Sequence, residues 1–141
     1  MILLDTDVAS ALFRLDLEPE VRAWLDAQEI DQLFLSTITI YELQRGIERM
    51  TRGRRRQRLE AQLAALLNHI FKGRLLEFDS DAALATARYQ IAREKRGRPI
   101  DMADAMIAGI ALSRRAALAT RNIRHFAGPE IELINPWSDA R

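Results

Sequence analysis

Cysteine is absent from this chain, and histidine nearly so, with His69 and His125 the only two. The first absence excludes disulfides, thiolate zinc sites and a cysteine nucleophile. The second argues against a histidine-rich metal site. Lysine is scarce as well: Lys72 and Lys95 stand against 19 arginines. No apolar run approaches the ~20 residues of a membrane-spanning helix. Ahead of Asp5 only Ile2-Leu3-Leu4 is apolar, and no basic stretch precedes it, which does not suit a secretory signal. A cytoplasmic protein with no membrane association is the expectation. Repeats, low-complexity tracts and linkers are also missing. The 141 residues therefore read as one domain with its own core, spanning 1–137, with 138–141 as a tail.

What remains for chemistry is carboxylates, hydroxyls and arginines. Three carboxylates stand where apolar segments meet turns or element ends. Asp5 follows Ile2-Leu3-Leu4. Glu42 lies in Ser36-Thr37-Ile38-Thr39-Ile40-Tyr41-Glu42-Leu43. Asp104 opens Asp104-Ala105-Met106-Ile107-Ala108-Gly109. Brought together, they would make an oxygen-only pocket for a hard divalent ion.

The apolar pattern predicts how they could meet. Ile2–Leu4, Leu33–Ser36, Leu75–Phe78, Ala117–Thr120 and Ile131–Ile134 read as strands, the last an edge strand stopped by Pro136. Helices are expected over 6–14, from about Pro19 to Leu25, 37–50, 58–67, 82–95 and 101–115. Gly53 breaks the third from the fourth and makes them a protruding helical hairpin. Strands alternating with helices predict an α/β fold, a mostly parallel sheet flanked by helices. Ligands in such sheets bind beyond the carboxyl ends of the strands, where Asp5 and Thr120-Arg121-Asn122 would lie.

Each acid also has a plain reading. Asp5 suits an N-cap of the helix after it. Glu42 alone could be an exposed helical residue. Asp101 and Asp104 resemble a capping box, which explains Asp101 by itself. Asp104, however, heads a helix that is almost wholly small and apolar. The functional argument rests on the set. Carboxylates crowded together repel, and a divalent cation relieves the repulsion. A water activated by such an ion can attack a phosphodiester.

Four segments carry a resemblance: Met1-Ile2-Leu3-Leu4-Asp5-Thr6-Asp7, Ser36 to Gly46, Ile100 to Ala108, and Ala119 to Phe126. In order and spacing the chain resembles PIN-domain ribonucleases of the VapC toxin family, close to the FitB branch. The resemblance implies a three-layer PIN-like α/β fold and a divalent-metal-dependent endoribonuclease, the toxin of a type II toxin–antitoxin system. It implies Asp5 and Asp104 as the main ligands of Mg²⁺, with Mn²⁺ as the alternative ion, and Glu42 completing the acidic triad. Thr6 would support the site, and Thr120 and Asn122 would lie on the pocket wall. RNA would be the substrate, a VapB- or FitA-like antitoxin the partner, and a homodimer the assembly. Two positions depart from the family pattern. Asn122 stands where many PIN domains have a fourth acid, which weakens the case for a second metal. Asp7 stands where relatives often have Ser or Asn.

Residues 45–58 hold seven arginines. Arg45, Arg49, Arg54, Arg55 and Arg56 read as a phosphate-tracking surface, as a seat for an acidic antitoxin tail, or as a solvated turn. Arg93, Lys95, Arg96 and Arg98 form a weaker basic cluster. Trp24 and Trp137 suit core packing or base stacking, and His125 a proton shuttle. Two other functions compete. One is a non-catalytic PIN-like module binding its partner in a repressor complex. The other is a haloacid-dehalogenase-type phosphatase with Asp5 as nucleophile and Asp7 as acid/base, which leaves Glu42 without a role.

Overall fold

The computed structural model describes residues 1–14 and 16–138. Of the expected 138–141 tail, residues 139–141 lie outside the described residues. Five short strands form one sheet: β1 (Ile2–Leu4), β2 (Leu33–Ser36), β3 (Leu75–Leu76), β4 (Ala117–Ala119) and β5 (Leu133–Ile134). Their order is β3-β2-β1-β4-β5 and every pairing is parallel. β1 lies at the centre, with Ile2 opposite both Leu33 and Ala117. β5 is an edge strand, as its sequence suggested.

Parallel strands joined by helices are covered on both faces, so successive residues serve different cores. In β1, Leu3 enters one cluster with Tyr89, Ile107, Ile110, Leu118 and Phe126. Leu4 enters the other with Val8, Trp24, Leu35, Leu43 and Phe71. β4 repeats the alternation, Leu118 joining the first and Ala119 the second. Trp24 is thus a core residue.

The helices are α1 (Thr6–Ala11), α2 (Pro19–Ala27), α3 (Thr37–Glu48), α4 (Arg54–Ala65), α5 (Ser80–Lys95), α6 (Met102–Arg114) and α7 (Ile123–Phe126). A 3-10 turn at Ile30–Gln32 and a π-helical turn at Leu66–Ile70 were not expected from the apolar spacing. Boundaries moved for physical reasons. Asp79 accepts from the Ala82 N–H at 2.9 Å, so α5 starts two residues before the apolar pattern does. Asp101 and the left-handed Arg115 (φ 55°) are the two caps of α6 rather than its first and last turns. α4 begins at Arg54, four residues before the expected start at Arg58. α1 ends at Ala11, short of the expected Arg14.

α5 and α6 pack most closely, with Gly109 of α6 set against Ala82 and Thr86 of α5. A Cβ on Gly109 would sit 2.7 Å from the Ala82 carbonyl oxygen and closer still to the Thr86 hydroxyl. Among the described residues no helix is long and apolar enough to cross a membrane.

Candidate active site

The acidic side chains gather at the carboxyl end of the sheet because three elements begin there. β1 stops at Leu4, and Asp5 N-caps α1, accepting from the Val8 N–H at 3.0 Å. Its backbone N–H donates to Ala119 O of β4 at 3.0 Å, so it is pinned between strand and helix. Capping α1 therefore leaves Asp5 at the strand end, beside the other acids. Asp5 is 5% exposed. Burial is the main reason its pKa rises to about 6; hydrogen bonds from Thr120 and the Val8 N–H oppose the rise, and the charges of Asp7 and Asp104 add to it.

Glu42 is half-buried on α3, whose N-cap Ser36 accepts from the Thr39 N–H at 3.1 Å. Thr6, the first residue of α1, donates its hydroxyl to Glu42 Oε1 at 2.5 Å and lies 3.1 Å from the Thr39 hydroxyl. Thr6 thus ties α1 to α3 and fixes Glu42.

Asp104 lies in the first turn of α6, its N–H bonded to Asp101 Oδ1 at 2.9 Å. Asp101 is an exposed cap, in keeping with its sequence context. The Asp104 pKa also rises to about 6, chiefly by burial, then by the charge of Asp101. His125 opposes that rise, and Glu42 adds to it. Asp104 Oδ2 is 3.3 Å from His125 Nδ1 on α7.

Thr120 is fully buried at the end of β4, and its hydroxyl accepts from the Asn122 N–H at 3.0 Å. The Asn122 amide donates to Asp7 Oδ2 at 2.7 Å. The two departures from the family pattern are therefore a bonded pair.

Asp5, Asp104 and Glu42 share one electrostatic field: Asp104 acts on Asp5, and Glu42 acts on Asp104. The charged influences on Asp5 are both carboxylates. Among the described residues no three acidic or imidazole groups converge tightly enough to enclose an ion as they stand. The donor chemistry nevertheless suits a hard cation. It consists of carboxylate oxygens whose charge is disfavoured by burial and by their neighbours.

Beside Thr6 and Glu42 opens a cleft of about 580 Å³ between α1 and the α3–α4 hairpin, reaching Arg14, Arg55 and Arg58. Of the arginines singled out from sequence, Arg45, Arg49, Arg54 and Arg55 are exposed, and Arg55 alone lines this cleft. Arg56 has other partners: Glu48 at 3.1 Å, Glu60 at 2.7 Å and the Met50 carbonyl at 3.1 Å. It is the clasp of the hairpin. Arg58 and Arg14 line the cleft but were not picked out individually, because nothing in their local sequence marks the direction they face.

In the second basic cluster Lys95, Arg96 and Arg98 are exposed, but Arg93 is not. Arg93 is 3% exposed and donates to the carbonyls of Arg98 at 2.9 Å and Ala127 at 2.7 Å. It ties together the loops that lead into Asp104 and out of His125. Arg96 pairs with Glu130 at 2.6 Å.

Residues 2–128 match the PIN domain family. The chain is a PIN-domain protein of the VapC family, FitB-like. It is 37% identical over 140 residues to "VapC ribonuclease Y4jK" of Sinorhizobium fredii, covering 99% of this chain and 100% of that protein. It is 34% identical over 139 residues to "Toxin FitB" of Neisseria gonorrhoeae, covering 99% and 100%. A solved structure of FitAB bound to an IR36 DNA fragment superposes with a TM-score of 0.90 at 32% identity, covering 97% of this chain and 96% of that one. The crystal structure of FitAcB from Neisseria gonorrhoeae gives 0.85 at 32% identity, with 98% and 99% coverage. Membership of the PIN family removes the phosphatase alternative. Asp7, its would-be acid/base, is exposed and tied to Asn122 in this PIN domain.

Proposed function

We propose that this PIN domain is a divalent-metal-dependent endoribonuclease and the toxin of a type II toxin–antitoxin pair. The supporting observation is the shared field of Asp5, Glu42 and Asp104 at the carboxyl end of a parallel sheet. Relatives named as a VapC ribonuclease and as Toxin FitB support the ribonuclease and toxin parts of the reading.

Asp5 and Asp104 would hold Mg²⁺ or Mn²⁺, with Glu42 as the third acid. A bound ion there supplies Lewis acidity toward water and toward the phosphodiester. The chain's own residues do the rest. Thr6 keeps Glu42 turned toward the site. Thr120 and the Val8 N–H hold the Asp5 carboxylate in a single orientation. His125, beside Asp104, is placed to accept or return a proton near the scissile bond. Arg55 and Arg58 lend the approach a positive potential that offsets the acids' repulsion of a polyanion. The same cleft is a seat for an antitoxin segment, and a solved relative at 25% identity, VapBC-5 of Mycobacterium tuberculosis, is described as a member of the VapBC family of toxin–antitoxin systems. A homodimer in the cytoplasm completes the reading.

RNA cleavage by purified, partner-free protein tests it. A mixed pool of transfer and ribosomal RNA is incubated with Mg²⁺, with Mn²⁺ or with chelator, and Asp104→Asn serves as control. Cleavage that needs the ion and is lost in Asp104→Asn is the expected result. Equal activity in Asp104→Asn would remove the metal-site assignment.

A further inference from the structure

Six arginines of this chain have side-chain partners among the described residues. Arg14, Arg56, Arg96 and Arg114 have carboxylate partners. Arg74 and Arg93 donate to backbone carbonyls. Arg121 differs from both groups. It is exposed, and its guanidinium lies over the Trp137 ring, 4.9 Å from the centroid. Among the described residues it makes no ion pair and no side-chain hydrogen bond.

Its position in the chain puts its backbone next to two residues that bond the acids. Arg121 follows Thr120, which hydrogen-bonds Asp5, and precedes Asn122, which bonds Asp7. Thr120 points into the protein at the end of β4, and Arg121, the next residue, turns out to solvent at the same end of the sheet. The shelf beneath it is itself anchored. Trp137 is partly buried against the core that holds Leu4 and Val8. Its indole N–H donates to Glu18, and its backbone N–H donates to Asn135 Oδ1 at 2.9 Å.

A guanidinium stacked on an indole is confined to one plane but keeps its edge donors available. That is the state suited to bidentate phosphate recognition, because little freedom remains to be lost on binding. We infer that Arg121, laid flat on Trp137 at the rim of the acidic pocket, binds an RNA phosphate and sets the register of the strand against Asp5 and Asp104. This rests on the ribonuclease reading for its substrate. It differs from the contribution of Arg55 and Arg58, whose side chains line the cleft on the hairpin side.

The test is binding of a labelled single-stranded RNA of mixed sequence to the full chain, followed by fluorescence anisotropy over a range of salt concentrations in chelator. The wild type is compared with Arg121→Gln, Arg121→Lys and Trp137→Leu. Arg121→Gln is expected to weaken binding by about 10-fold and to reduce the slope of log K against log salt by about 0.7, the loss of one phosphate contact on a single strand. Arg121→Lys keeps the slope but loses affinity, because the charge survives and the fork does not. Trp137→Leu loses affinity at unchanged slope. Thermal melts separate these effects from unfolding, and since Arg121 is exposed its variants are expected to melt as the wild type does.

No RNA binding by the wild type, or an Arg121→Gln variant with wild-type affinity and slope, would overturn the inference. The chelator keeps the binding readout independent of cleavage. A wild type that never cleaves RNA, yet loses affinity and slope on Arg121→Gln, would sink the nuclease reading and leave Arg121 as a phosphate contact. A wild type that cleaves, with Arg121→Gln unchanged in affinity, slope and KM, would sink the Arg121 assignment alone.

Discussion

The α5–α6 interface and the acidic end of the sheet share a helix, yet they are built on opposite terms. Along α6, Ala105, Ile107, Ala108, Gly109 and Ile110 are almost completely buried, and their neighbours are apolar or hydrogen-bonded. At the head of the same helix Asp104 is held where its charge is disfavoured, facing the equally disfavoured Asp5. One region gains stability from close contact, and the other gives some up. A fold that tolerates buried, mutually repelling carboxylates at the end of a well-packed helix keeps them for something other than stability.

The sharpest way to break this contrast is to remove the charge at Asp104. Asp104→Asn keeps the shape of the side chain and the helix below it. RNA cleavage is expected to fall by ~10²–10³-fold, while the circular dichroism spectrum stays that of the wild type. A variant that unfolds would place Asp104 with the packed region instead.

The second break runs the other way, toward greater stability. Asp5 holds its proton more tightly when folded, its pKa rising from 3.8 to about 6. Between those values the folded protein carries more bound protons than the unfolded chain, so metal-free stability falls as pH rises from about 4 to about 6, and the full penalty stands above that range. The displacement corresponds to about 3 kcal/mol. Asp5→Asn keeps an acceptor for the Val8 N–H and loses the charge. Urea denaturation at pH 7.5 in chelator should therefore find Asp5→Asn more stable than the wild type by up to about 3 kcal/mol. Mg²⁺ should stabilise the wild type and leave the variant unmoved. A destabilised variant would mean that the carboxylate is needed as a cap more than it is resented as a charge.

How far these two regions could be read from the sequence differs for the same reason. Strand positions and the parallel character of the sheet follow from short apolar runs separated by helical spacing, whereas the strand order and the opposite faces of Leu3 and Leu4 came from the structure. Asp5 and Asp104 were legible because each interrupts an apolar segment. The use made of each arginine was not, since Arg54, Arg55 and Arg56 look alike in sequence. Their fates depend on which way one turn of α4 faces the end of α3. Arg93 was hidden for a similar reason: its partners are the carbonyls of Arg98 and Ala127, which lie in two loops. α7 was missed because four residues carry too little periodicity to announce a helix.

On the packed side, Gly109→Ala sharpens the comparison. Alanine favours a helix by about 1 kcal/mol over glycine, yet its methyl would press on the Ala82 carbonyl at 2.7 Å and on the Thr86 hydroxyl. Contact wins over propensity, and a net loss of about 1–3 kcal/mol is expected in urea denaturation. Cleavage per folded molecule should be retained, because the strain falls more than one helical turn from Asp104. A stabilised Gly109→Ala would show that α5 can retreat at no cost.

The smallest effects distinguish Arg55 from Arg56, neighbours in the same basic triplet. Arg56 is bound to Glu48, Glu60 and the Met50 carbonyl, so Arg56→Ala should lower the melting temperature slightly and loosen the hairpin. Arg55 lines the cleft that contains Glu42, so Arg55→Ala should leave the melting temperature alone and weaken RNA binding, with a shallower salt dependence. The comparison is a crossed one: each substitution should move the readout that the other leaves in place. Arg56→Ala flattening the salt slope as much as Arg55→Ala would mean that the hairpin clasp opens when RNA arrives and that its guanidinium is handed from carboxylates to phosphate. A melting temperature lowered equally by both would instead make the whole triplet part of the hairpin's own structure.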